Sequence, residues 1–271
     1  MQKKVRLRRK FGATLYIGLF LLFLYIPIAV LVAFSFNESK SRSYWTGFTF
    51  AWYNKLLHNH EILRAAFNTL VVAVVASFAA TVIGTVSAVG VHFLDKRLKR
   101  LMTLLTNLPI VNPEIVTGVS LMLLFTFLKV KVGFETLLLA HIIFNIPYIV
   151  FSVLPKLAQM DKYLCDAAMD LGCNWWQVFF KVILPEVSPG IMSGFLMALA
   201  FSVDDFVISY FTGGPTSQTL PLTIFAMTRR KVSPEINALS TIVFVVALTI
   251  IFVVQFYESR KNKHLLRRNG S

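Results

Sequence analysis

Long uncharged apolar runs recur along this chain, separated by short polar and charged segments. A helix needs about 20 mostly apolar residues to cross a bilayer. Six runs meet that length: residues 13–36, 65–93, 101–128, 132–154, 187–211 and 236–257. The pattern predicts an all-α polytopic membrane protein of six transmembrane helices, with five or seven as the alternative counts. Lys129 and Lys131 mark its narrowest boundary, between the third and fourth spans. The first run is too long for the h-region of a cleaved signal peptide and is expected to remain as a span. In the second span Ala76, Ala80, Gly84 and Ala88 recur every four residues, and Gly190 and Gly194 form a GxxxG early in the fifth. Such small-residue faces allow close helix approach, within one chain or against a second membrane subunit.

Composition points the same way. Of 271 residues, 56% are hydrophobic and 15% charged, against about 45–50% and 25% in soluble domains. Mean hydropathy is +0.67. The formal charge of +14 would raise nucleic-acid binding for a soluble domain, but here the basic residues sit in short blocks beside the apolar runs, as topology signals do. The segments 1–12, 94–100, 155–186 and 258–271 hold 18 Lys and Arg, and 37–64, 129–131 and 212–235 hold 9. The positive-inside rule therefore places both termini and the 94–100 and 155–186 loops in the cytoplasm. The chain divides into a basic cytoplasmic N-terminus (1–12), a six-helix transmembrane domain (13–257) and a basic cytoplasmic C-terminus (258–271).

Cys165 and Cys173 form neither a CxxC pair nor a metal-ligand set, and in the cytoplasm they are expected to be reduced. No Walker A loop, HExxH or GxSxG occurs. The chain is not expected to be an enzyme, to hydrolyse a nucleotide by itself, or to bind a metal or other cofactor.

The ionisable residues inside or at the edges of the spans are Glu114, Glu135, Asp204 and Asp205, with His92 and His141; no Lys or Arg lies within any span. Intramembrane carboxylates are costly and face a bundle interior or a watery path. A set without a basic partner suggests a cation passing nearby. Glu114 lies ~20 Å into the third span, and Asp204 and Asp205 lie ~25 Å into the fifth. Pro109 and Pro113 precede Glu114 and can break the helix to line a cavity. Successive helical positions point about 100° apart, so at most one of Asp204 and Asp205 faces the path squarely; Asp204 is preferred. Tyr210 and Phe211 can add cation–π contact. Glu135 reads as an ordinary solvated residue near an outer boundary, and His141 with Asn145 as an i, i+4 pair that hydrogen-bonds helices together.

The 155–186 loop has its own pattern. Asp161 is a candidate N-cap. Leu164, Ala167, Ala168 and Leu171 fit one face of a short amphipathic helix, which Gly172 can end in a left-handed conformation. A second short helix is predicted over Asn174–Ile183, with Pro185 opening the next span. The first helix can offer its small-residue face to another protein. Alternatively the loop lies flat on the bilayer, which Trp175, Trp176, Phe179 and Phe180 would suit.

Asp166-Ala167-Ala168, three residues, Gly172, nine residues, then Val182-Ile183-Leu184-Pro185 resembles the EAA motif of binding-protein-dependent ABC importer permeases, with Asp166 for Glu and Val182 for Ile. The resemblance implies a type I importer permease whose loop is a coupling helix docked on a cytoplasmic ATPase, with Asp166, Ala167, Ala168, Gly172, Leu184 and Pro185 at or beside that interface.

The wider chain resembles the permeases of bacterial spermidine/putrescine importers. The matching segments are Tyr25-Ile26-Pro27, Ser35-Phe36-Asn37, Pro113-Glu114-Ile115-Val116, Asp204-Asp205-Phe206-Val207-Ile208-Ser209, Phe211-Thr212-Gly213, Leu220-Pro221-Leu222 and Ser233-Pro234-Glu235-Ile236-Asn237-Ala238. This implies a multi-pass protein of the bacterial inner membrane working by alternating access. Its implied partners are a second homologous permease, two ATPase subunits carrying ATP and Mg, an extracytoplasmic polyamine-binding protein and membrane lipid. The other readings are the same architecture with another cationic or small solute (thiamine, iron, an opine), or an ion-coupled secondary carrier, for which no internal repeat is visible.

Overall fold

The computed structural model describes residues 2–39, 44–161, 163–230, 234–246, 248, 249 and 252; of residues 2–13 and Arg230 only the backbone is described. Among them the structure is helical, and the one β-type pairing is an isolated bridge between Asn37 and Phe48. The chain divides into two units, Met1–His60 with Ala226–Ser271, and Glu61–Phe225.

In the first unit, α1 (Gln2–Phe34) contains the first predicted span as Thr14–Phe34, and its backbone continues as helix through the basic N-terminal segment. None of its apolar window is buried within the chain, as befits a helix facing lipid or another subunit. Past its end the backbone folds around Asn37. The Asn37 Oδ1 accepts from Thr46 N–H at 3.0 Å, its Nδ2 donates to the Tyr44 carbonyl at 2.9 Å, and Trp52 Nε1 donates to its carbonyl at 2.8 Å. Buried polar groups must be paired, so one asparagine sets this turn. Phe36 then stacks on Phe48 at 5.1 Å and meets Tyr53 of α2 (Ala51–Leu57) at 5.1 Å.

The second unit is built on α3 (His60–Phe93) and α6 (Phe134–Gln159). The small-residue face of α3 packs within the chain: a Cβ on Gly84 would lie 2.6 Å from the Ile149 Cβ of α6. The GxxxG of the fifth predicted span meets the same helix: an added Cβ would lie 2.8 Å from the Ser152 carbonyl oxygen at Gly190 and 3.2 Å from the Ile149 Cα at Gly194. Ile149, Val150, Val153 and Leu157 of α6 form the core with Val178, Ile183, Val187 and Ala198.

Three predicted elements differ from the structure. The third span is two helices, α4 (Lys96–Val111) and α5 (Glu114–Phe127), bent by 103° to each other. Pro113 lacks an N–H and pushes the preceding residue out of the α region; Asn112 is extended, with φ −71° and ψ 138°.

The second short helix of the 155–186 loop is not separate. After α7 (Leu164–Asp170), the chain runs from α8 (Trp175–Val178) through a π-helical turn (Phe179–Ile183) into α9 (Leu184–Asp204), one helical run of 30 residues. Asn174 and Gln177 start it with a reciprocal capping box at 2.9 and 3.0 Å. The π turn, in which Leu184 N–H reaches the Phe179 carbonyl, takes in one extra residue and carries the helix past Pro185 without a stop.

The fifth predicted span, 187–211, ends early: α9 stops at Asp204, and α10 (Val207–Thr212) begins after a break at Asp205. The 212–235 segment holds a further amphipathic helix, α11 (Leu220–Arg230), tied to α3 by Leu220 N–H donating to Thr69 Oγ1 at 2.7 Å.

Back in the first unit, the sixth predicted span is described as α12 (Pro234–Val246), with Ile236, Ala238 and Leu239 buried and Glu235 ion-paired to Lys55. Most of that span beyond Val246, and the C-terminal segment 258–271, lie outside the described residues. Among the described residues, four helices are long and apolar enough to cross a membrane, or five if the bent α4–α5 pair is one span.

Candidate functional site

The two interrupted spans place their breaks together. At the first, Glu114 is the opening residue of α5, where its charge meets the positive end of the helix dipole, and its side chain is exposed. At the second, Asp204 closes α9 and is exposed, whereas the Asp205 side chain is only 3% exposed. The Asp205 carboxylate accepts from Ile208 N–H at 3.1 Å, from Ser209 N–H at 2.7 Å and from Ser209 Oγ at 2.7 Å. It thereby takes up first-turn N–H donors of α10 that would otherwise be orphaned.

His141, fully buried on α6, brings Nε2 to 3.1 Å from Ser209 Oγ and 3.4 Å from the same carboxylate oxygen. One turn on, Asn145 Nδ2 donates to Ser202 Oγ of α9 at 2.7 Å. The His141–Asn145 pair thus ties α6 to both sides of the break. Ser209 Oγ is within hydrogen-bond reach of both the Asp205 carboxylate and His141 Nε2, and the three side chains clamp the break between α9 and α10 to α6.

Glycine lets the breaks approach. A Cβ on Gly118 of α5 would lie 3.0 Å from Phe211 Cδ2 and 3.5 Å from the Val207 carbonyl of α10. Glu114 is close enough to interact electrostatically with Asp205 and Asp204, and Tyr148 of α6 with Glu114. The three acids therefore share one region. Phe211 packs inward on Gly118, while Tyr210 is 57% exposed beside Phe206, at 5.8 Å between rings. Tyr148, with Phe201 at 4.6 Å, also borders Glu114 and was missed by sequence reasoning; its signal was a polar-tipped aromatic inside an apolar run. Glu135 lies in the first turn of α6. Among the described residues no three His, Cys, Asp or Glu side chains gather as a metal site.

The other candidate region is the 155–186 loop. Asp161 Oδ1 accepts from Tyr163 N–H at 3.0 Å, an Asx turn ahead of α7 in place of the predicted N-cap. Gly172, at φ +88°, closes α7 with a Schellman pair: its N–H donates to the Met169 carbonyl at 2.9 Å and Cys173 N–H to the Ala168 carbonyl at 3.1 Å. The buried face is Cys165 with Ala168, packed on the core that holds Val178 and Ile183. The predicted face is thus rotated: Leu171 is 87% exposed, and Asp166 and Ala167 are exposed too. Leu184 is half-buried and Pro185 exposed where α9 begins.

Residues 80–260 match the family described as binding-protein-dependent transport system inner membrane component. This chain belongs to that family. The matched stretch includes the acidic breaks and the whole 155–186 loop. Among curated proteins, this family member is 37% identical over 241 residues to the spermidine/putrescine transport system permease protein PotC of Escherichia coli K12, covering 89% of this chain and 91% of the relative. It is 36% identical over 242 residues to PotC of Haemophilus influenzae, covering 89% and 94%. To the putrescine transport system permease protein PotI of Escherichia coli K12 it is 36% identical over 252 residues, covering 90% of each.

In fold it resembles a chain of a bacterial ABC transporter that imports the acidic polysaccharide alginate, with a TM-score of 0.72, 15% identity, and 93% of this chain and 98% of that one covered. It also resembles a chain of the MetNI methionine ABC transporter in an inward-facing form, with a TM-score of 0.60, 20% identity, and 73% and 93% covered. The chain is an inner-membrane permease component of a binding-protein-dependent transport system, with an all-α fold shared with ABC importer permeases.

Proposed function

We propose that this chain is one permease subunit of an ATP-driven polyamine importer and supplies half of the translocation path. The observation that carries the reading is the meeting of Glu114 and Asp204, both exposed, at two helix breaks in a chain whose predicted spans hold no Lys or Arg. Such an arrangement attracts a protonated amine and holds no internal cation to compete with it. The resemblance to PotC and PotI over about nine-tenths of the chain supports the choice of substrate. In this reading Glu114 and Asp204 face the substrate, Asp205 fixes the break, Tyr210 offers its ring face, and Phe211 backs the contact between α5 and α10.

The assembly is a second homologous permease, two ATPase subunits that bind ATP and Mg, and an extracytoplasmic polyamine-binding protein. The basic segments favour a topology with both termini and α7 on the cytoplasmic side. There Asp166, Ala167, Ala168 and Gly172 dock on the ATPase, with Leu184 and Pro185 at the base of the span that follows. ATP binding closes the ATPase dimer, shifts α7 and turns the path outward; hydrolysis resets it.

The test is uptake of labelled spermidine and putrescine by cells carrying the complete complex, wild type against Glu114→Gln. A charge-assisted contact is worth about 1.5–3 kcal/mol, so uptake at low substrate should fall at least about tenfold with assembly unchanged. Unaltered uptake would remove Glu114 from the path. An assembled, ATP-hydrolysing complex that moves no polyamine would overturn the substrate assignment.

A further inference from the structure

We propose that the apolar groove between α3 and the Trp175–Leu184 segment seats one acyl chain of an anionic phospholipid, with its headgroup on the Lys96–Arg100 segment. The inference does not depend on which solute is transported. The groove encloses about 810 Å³. Val82, Val86 and Val89 form one wall, and Trp176, Phe179 and Phe180 the other. Along α3 it runs from Thr81 to Phe93, ~18 Å at 1.5 Å per residue. That is close to half of the ~30 Å hydrocarbon core, the depth of one leaflet. At Gly90 the space is open, with nothing within 4 Å of where a Cβ would stand.

The mouth of the groove is built for a headgroup. Phe93 and Trp175 meet edge to face there at 5.3 Å, and tryptophan is typical of the level where hydrocarbon gives way to water. The chain then turns directly into Asp95-Lys96-Arg97-Leu98-Lys99-Arg100, four cations to one anion. Lys99 Nζ folds back to donate to the His92 carbonyl at 3.2 Å, which holds a positive charge against the end of α3 beside Phe93. An apolar channel one leaflet deep that opens under a basic cluster matches a lipid with a negative headgroup. A zwitterionic lipid would fill the channel without using the cluster.

Native mass spectrometry of the purified, fully assembled importer, supplied with equimolar phosphatidylglycerol and phosphatidylcholine, tests this. Wild type should retain phosphatidylglycerol in at least a fivefold excess. Gly90→Leu, which replaces glycine by a better helix former and fills the open space, should abolish the retained lipid of this site. Val86→Trp, at an exposed position one turn away, repeats the test if Gly90→Leu does not assemble. The double variant Arg97→Gln/Lys99→Gln should bring the two lipids to near parity. Equal retention by wild type would overturn the proposal, as would a phosphatidylglycerol excess that survives the groove-filling variants. So would efficient cross-linking of a cysteine at position 90 to another subunit, which would make the groove a protein contact.

Discussion

Replacing Asp205 by alanine separates the clamp from the path. The buried Asp205 carboxylate holds three donors, Ile208 N–H and the N–H and hydroxyl of Ser209, at 3.1, 2.7 and 2.7 Å. Hydrogen bonds to a charged acceptor are worth about 1.5–3 kcal/mol each and are not additive. Alanine leaves all three donors, and His141 Nε2 beside them, without their acceptor in a dry interior. A loss of about 3 kcal/mol is therefore expected, at the low end for breaking a buried charged network. Asp204 is exposed next door, so Asp204→Asn removes a charge and leaves the packing alone. In detergent-solubilised complex, Asp205→Ala should lower the apparent melting temperature by several degrees and reduce assembly. Asp204→Asn should melt with wild type yet take up polyamine at least several-fold more slowly. An Asp205→Ala complex with wild-type melting would refute the clamp, and an Asp204→Asn complex that is destabilised as much as Asp205→Ala would refute the division of roles.

Two further outcomes follow from the packing. Gly84→Leu puts a side chain where the Ile149 Cβ already lies 2.6 Å from an added Cβ; overpacking of this kind costs about 1–3 kcal/mol, and the fraction of complex surviving a heat step should fall. Gly18→Leu, with nothing within 4 Å, is the matched control and should survive as wild type does. On α7, burial first and Asp166 second push the Cys165 thiol pKa up, so less of it is thiolate at neutral pH. Maleimide labelling of Cys165 should be slow, accelerate as pH rises, and speed up at fixed pH in Asp166→Asn; a rate unchanged by that substitution would show that Asp166 does not act on the thiol.

Much of the architecture was legible because a lipid-embedded backbone must satisfy its own hydrogen bonds. Run length and apolarity were enough to find α1, α3, α6 and α9. Pro113 was legible as an interruption, although the 103° bend was not, since it depends on what α5 packs against. The break at Asp205 carried no proline or glycine; it exists because Ser209 and His141 make a helix end acceptable there, and that pairing reaches 64 residues back along the chain to another helix. The same cause turned the face of α7. Leu164 and Leu171 fit the local period, but the core containing Val178 and Ile183 takes Cys165 and Ala168. In the site, Glu114, Asp204 and Asp205 were visible as charges without partners. Tyr148 was hidden because nothing in the order of residues says that α6 passes beside the first break.

The joining of α8, the π turn and α9 has a mechanical consequence. Thirty helical residues make a strut ~45 Å long, with the seat of α7 at its foot and Asp204 at its head. Any push that moves α7 with its packing intact moves the foot, and the strut carries that motion to the acidic break with no loop to absorb it. The π turn is its one departure from regular α-helical winding, and it lies directly under α7. Compliance is thus confined to the point where force enters, and the long arm beyond it stays stiff.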